Sequence, residues 1–232
     1  MGIFRRAPTP TVDQLAELRE TAREWIGPGF RGRAGLAEEL VELRDDIDLP
    51  APVLLEAAQR VVDEVWRDRL AEESSWSDAG DYVRLANAFA ALGEQGVVCR
   101  MDFACCQTCG TAEIDDERTP RDSVGEGDYP YREWAYTFFH QQDTERLVDP
   151  SPLLYLSYSA FVPAPGLDPD LLERARAGDE HARQEVVTLT DVTVGEMVKE
   201  ALVAQGLVVE WNGTSAQRIG VRVPEWRKPL PT

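Results

Sequence analysis

The apolar residues of this chain change their period partway along, and that change limits the folds open to it. Before residue 78 they recur three and four apart, the spacing that lines one face of an α-helix. Thr11 with Gln14 has the form of a capping box, and Leu15, Leu18, Ala22 and Ile26 follow on one face. Gly27-Pro28-Gly29 stops that helix. Leu36, Leu40 and Leu43 mark a second helix, ended by Leu49-Pro50-Ala51-Pro52, and a longer third runs from Leu54 to Leu70.

Beyond Ser77 helices alternate with strands. Tyr82 to Leu92 reads as an amphipathic helix closed by Gly93 and Gly96, and Val97 to Ala104 as a strand. Cys105 to Ile114 reads as a turn entering a short helix. The acid-, glycine- and proline-rich stretch Asp115 to Glu133 reads as a mobile surface loop. Trp134 to His140 and Leu153 to Val162 are further strands, with Asp143 capping a short helix between them. A short piece from Asp168 to Ala177 precedes a helix around Asp191 to Gln205. The end, with Asn212-Gly213 between two β-rich runs, reads as a hairpin. The expected class is α/β (α+β): a mixed sheet of about five strands with covering helices and a C-terminal hairpin, preceded by a helical segment. The expected division is a helical part over 1–78 and an α/β domain over 79–232.

Charge excludes some functions. The chain has 42 acids against 24 bases, for a formal net charge of −18. The excess is spread, since 10 bases face 17 acids up to Asp78 and 14 face 25 beyond it. Such a surface repels phosphate backbones and anionic lipid, so neither nucleic acid nor a membrane is an expected partner. The expected partner is a protein or small molecule of unknown identity. Arg5 and Arg6 are followed by Pro8 and Pro10 where a leader would be apolar, and Arg6 stands where a myristoylation motif takes Ser or Thr. All four cysteines fall between Cys99 and Cys109, which does not resemble a disulfide framework and points to a reducing cytoplasm.

That cluster is the chemical feature of the chain. Cys106-x-x-Cys109 is a common zinc half-site, and Cys105 adds a third thiol. Cys99 lies six residues earlier on an expected strand, ~20 Å away at ~3.3 Å per residue, too far to join. His140, at the end of the next strand, is the remaining candidate. Cys105, Cys106, Cys109 and His140 would thus hold a metal, with zinc the cofactor they suit.

The same cysteines also fit two other readings. A C-x-x-C pair entering a helix after a strand suits a thiol oxidoreductase, although Glu113, Asp115, Asp116 and Glu117 are expected to raise its thiol pKa. Alternatively the thiols only fill a tight corner of an acidic interaction or inhibitor protein. His140 with Asp143 or Glu145 fits acid–base equipment, or more simply a histidine hydrogen-bonded at the sheet rim. No G-x-S-x-G, P-loop, G-x-G-x-x-G or H-E-x-x-H pattern occurs.

The pieces DFACCQTCGTAEI, AYTFFHQQDTE and VEWNGTSAQRIGV resemble an uncharacterised bacterial family of unknown function, specifically in CCQTCG, FFHQQDTE and EWNG. The resemblance runs from the first helix to Trp226. It implies a cytoplasmic bacterial protein and supplies no reaction, ligand or catalytic residue.

Overall fold

In the computed structural model, residues 8–44, 47–125 and 127–232 are described; residues 1–7, read above for a leader, lie outside them. The chain divides into two compact units, Met1–Ala79 with Arg227–Thr232 and Gly80–Trp226.

The first unit is helical. Thr11 caps α1 (Val12–Ile26): its hydroxyl accepts the Gln14 N–H at 3.2 Å while the Gln14 side chain accepts the Thr11 N–H at 2.9 Å. With α2 (Leu36–Leu43) and α3 (Ala51–Glu73) it closes over Leu18, Ile26, Leu40 and Ala58, all fully buried. The last residues of the chain return to this unit. The Arg69 guanidinium, 7% exposed, donates to the backbone carbonyls of Gly27 and Lys228, each at 3.0 Å. Glu73 accepts the Leu230 N–H at 2.7 Å, and Leu230 joins the core.

The second unit is α+β. It opens with α4 (Gly80–Gly93) and then forms a five-stranded mixed sheet in the order β1-β2-β3-β5-β4. These strands are β1 (Val97–Arg100), β2 (Ala135–Phe138), β3 (Leu153–Ala160), β4 (Val208–Glu210) and β5 (Ile219–Arg222). β1 and β2 run parallel and the other neighbours antiparallel. The helices are α5 (Gln107–Glu113), α6 (Gln141–Thr144), α7 (Pro169–Arg176) and α8 (Glu180–Ala204). Alternation sorts the faces. Leu154, Leu156 and Tyr158 point to one side, where α8 packs so closely that a Cβ on Gly195 would meet the Tyr158 ring at 3.1 Å. Register places Val98, Tyr136 and Phe138 on the other side, where they form a core with Ile114 just beyond α5.

Three local expectations need correcting. The first strand ends at Arg100, four residues early, because the chain bends through left-handed Asp102 (φ 52°) and Ala104 (φ 57°). The loop over residues 115–133 carries several contacts at its base. Pro120 and Tyr131 bridge, Tyr129 donates to the Glu133 carbonyl at 2.9 Å, and Arg118 lies over the Tyr131 and Phe161 rings. α6 takes His140, not Asp143, as its N-cap, with Asp143 inside the first turn. α8 begins at Glu180, well before Asp191, because Asp179 accepts the Ala182 N–H at 3.1 Å and starts it there. Among the described residues no helix is long and apolar enough to cross a membrane.

Candidate metal centre

The cysteines sit where backbone strain is concentrated. Between β1 and α5 the chain passes twice through the left-handed region without glycine, which costs an L-residue about 1–2 kcal/mol each time. Such strain persists only where surroundings enforce it. Here the Thr144 hydroxyl donates to Asp102 at 3.1 Å, the Phe103 N–H to the Phe139 carbonyl at 2.9 Å, and the Gln141 N–H to the Ala104 carbonyl at 3.2 Å. The loop is thereby anchored to β2 and α6. Cys106 then caps α5 in an extended conformation, and its carbonyl accepts the Gly110 N–H at 2.9 Å to close the first turn. Gly110 lies flat on Phe138: an added Cβ would stand 2.5 Å from the ring.

This geometry brings three of the four expected ligands together. The sulfurs of Cys105, Cys106 and Cys109 lie within 4.8 Å of one another. Cys105 is exposed, and Cys106 and Cys109 are half-buried. His140 is not in that group. It is 5% exposed, and its Nε2 lies 3.0 Å from the Asp143 carboxylate, the rim hydrogen bond that the simpler reading expects. Cys99 stays apart in β1, and burial pushes its thiol up to about 12.

The sulfurs differ in acidity. The Cys109 backbone N–H, then the Cys109 thiol, favour a thiolate on Cys106 and draw its pKa below the ordinary value. The rise expected from the acids after α5 is not seen at Cys106, where the lowering groups are the cluster's own neighbours at the opposite end of the helix. Cys109 is pushed up to about 12, first by hydrogen bonding to Cys105 and Cys106 and then by charge repulsion from them. Three sulfurs this close hold one negative charge readily and further charge only at rising cost. A soft cation removes that cost, since thiolates are its ligands.

Sequence reasoning missed the groups around His140. Arg218 donates both terminal nitrogens to Asp143, one at 3.1 Å, and also donates to the Tyr155 carbonyl. Burial, then Arg218 and Arg146, lower the His140 pKa against the opposing pull of Asp143. The imidazole is therefore neutral at pH 7, donating from Nε2 and leaving Nδ1 without a proton. The signal for Arg218 lay in the β3–β5 register, which a single sequence does not display.

A family model described as "Domain of unknown function (DUF6891)" matches residues 11–230. The chain belongs to this family. No curated protein and no solved structure matches it. Family membership thus covers both units, the cysteine cluster and the Asp143–Arg218 pair, and leaves their chemistry to be argued from geometry.

The thiol differences are measurable. Iodoacetamide should modify Cys106 well before Cys99 at pH 7, because alkylation follows the thiolate fraction. Peptide mapping over time checks the order, and early labelling of Cys99 contradicts it.

Proposed function

We propose that the second unit carries a thiolate metal centre, binding a thiophilic cation, zinc above others, without turnover. The observation that carries this reading is the mutual approach of the Cys105, Cys106 and Cys109 sulfurs within 4.8 Å. Three thiolates make an incomplete tetrahedral set, so the fourth position belongs to a donor outside the cluster. His140 is the nearest expected candidate in the sequence. Its hydrogen bond to a carboxylate is the support a ligand imidazole usually has, although it stands outside the sulfur group.

The test is metal content of protein purified without chelators, followed by cobalt substitution. About one equivalent of zinc is expected, with a thiolate-to-cobalt charge-transfer band. Cys109→Ser should lose most of the metal, and Cys99→Ser should keep it. His140→Gln should also keep it; metal loss there would make the imidazole the fourth ligand. Binding should weaken as pH falls, because protons compete for the thiolates. Less than a tenth of an equivalent of any transition metal overturns the reading.

The approach of the Cys106 and Cys109 sulfurs within 4.8 Å also fits a second reading, a thiol oxidoreductase. Cys106 is drawn toward thiolate while Cys109 is held as thiol, the asymmetry of an attacking and a resolving cysteine. Metal-free protein that forms a reversible Cys106–Cys109 disulfide in a glutathione buffer would support it.

A further inference from the structure

Beside α5 lies a cleft of about 270 Å³ that the cysteine cluster does not use. Gln107 and Thr111, one turn apart on α5, line one side, and Gln217 lines the other. Tyr136 and Ser157 belong to the sheet beneath, and Arg218 directly precedes β5. Ser157 and Arg218 come together through strand register. β3 and β5 pair Leu156 with Ile219, so the next step along the ladder sets Arg218 across from Ser157.

Two polar atoms here have no partner among the described residues. The Ser157 hydroxyl is buried and unpaired on a residue 5% exposed, and the Arg218 Nε–H is buried and unpaired as well. Buried polar groups are nearly always satisfied, and leaving one unsatisfied costs about 1–3 kcal/mol. Two orphans on residues lining one cleft therefore point to a ligand that accepts from both.

Charge identifies its class. Arg218 and Arg146 both stand near the Tyr155 ring, at 5.7 and 5.9 Å, and the carboxylate facing them is Asp143. His140, neutral, adds no charge. On the other side Asp191 faces Tyr136 and Tyr158, where Ser159 donates to it at 2.6 Å and burial raises its pKa. Among the residues lining the cleft Arg218 is the one that carries charge, while Asp191 and Asp115 act on Tyr136 from outside it. Two unpaired donors at one cleft match the two oxygens of a carboxylate. The volume lies below the usual range for drug-sized ligands, ~300–1,000 Å³, which suits a small organic acid and not a nucleotide.

We propose that this cleft binds a small organic carboxylate, held by the Ser157 hydroxyl and the Arg218 Nε–H and bordered by Gln107 and Thr111. The site stands apart from the metal reading, although Gln107 follows Cys106 directly on the same helix.

The experiment titrates the intact protein with acetate, lactate and succinate, using glycerol and acetamide as neutral controls. Carboxylates are expected to raise the melting temperature with dose and to shift the Arg218 Nε signal in nitrogen NMR. The controls should do neither. Ser157→Ala should weaken carboxylate binding about tenfold to a hundredfold, the loss expected for one hydrogen bond to a charged group. Its own melting curve verifies folding, and Gln107→Ala, at an exposed position, provides a second variant expected to weaken binding. Cys109→Ser should bind carboxylate as the parent does, which separates this site from the metal centre. No response to any carboxylate at tens of millimolar overturns the proposal. So does equal binding of the neutral controls, or unchanged affinity in folded Ser157→Ala.

Discussion

Asp143→Ala should lower the stability of the second unit by about 3 kcal/mol or more, the cost of breaking a buried ion pair from one side. Asp143 is 4% exposed and accepts from both terminal nitrogens of Arg218 and from His140. Removing it leaves the guanidinium, with a side chain 25% exposed, facing a sheet with no counter-ion. It also frees His140, whose neighbour Gln141 holds the strained Ala104 carbonyl. The double variant Asp143→Ala/Arg218→Met should recover part of the loss, because no unpaired charge then remains. Urea unfolding at pH 7 measures both, and a double variant as unstable as the single one contradicts the ion-pair account.

The same site sets a pH dependence. The folded state lowers the His140 pKa, so between that value and the ordinary ~6.5 the unfolded chain binds the extra proton. Stability therefore rises with pH through this range and is lost on acidification below about 6.5. His140→Gln should flatten that slope.

The architecture was legible wherever local chemistry and tertiary packing agree. The Thr11–Gln14 box is built from residues three apart and needs no distant partner. β3 was readable because its apolar alternation matches a face that is buried at Leu154 and Leu156, and the last two strands because Asn212-Gly213 marks the turn between them. What escaped was set by register and by paired violations of propensity. Arg218 and Asp143 are 75 residues apart and meet only once β3 and β5 align. The early start of α8 was hidden by threonines, which dilute helical periodicity. In the helix their hydroxyls donate back to carbonyls four residues earlier, Thr188 to Gln184 at 2.9 Å and Thr193 to Leu189 at 2.8 Å. The end of β1 was hidden because alanine and aspartate, not glycine, take the left-handed bends. For the candidate site, three cysteines close in sequence proved close in space, whereas His140, distant in sequence, went to a carboxylate.

Phe138→Ala should cost about 3–5 kcal/mol and, unlike an equal loss elsewhere, should also disturb the cysteines. Phe138 is fully buried and packs edge-on to Phe103 at 5.8 Å and near-parallel to Tyr136 at 6.1 Å. Its ring is also the surface on which Gly110 seats α5, the helix that carries Cys109 and begins at Cys106. Truncation leaves a ring-sized void beneath one turn of a seven-residue helix, which is too short to hold its position by its own hydrogen bonds. Collapse into that void moves the Cys109 N–H relative to the Cys106 sulfur and weakens the interaction that favours the thiolate. Cys106 alkylation at pH 7 should therefore slow, and any metal bound by the three sulfurs should be held less tightly. Leu156→Ala supplies the control: Leu156 is also fully buried, but it points to the α8 face, away from α5. It should lower stability by about 2–5 kcal/mol while leaving the Cys106 rate unchanged in the folded protein. Equal alkylation rates in the two variants would break the link drawn here between the Phe138 ring and the thiolate.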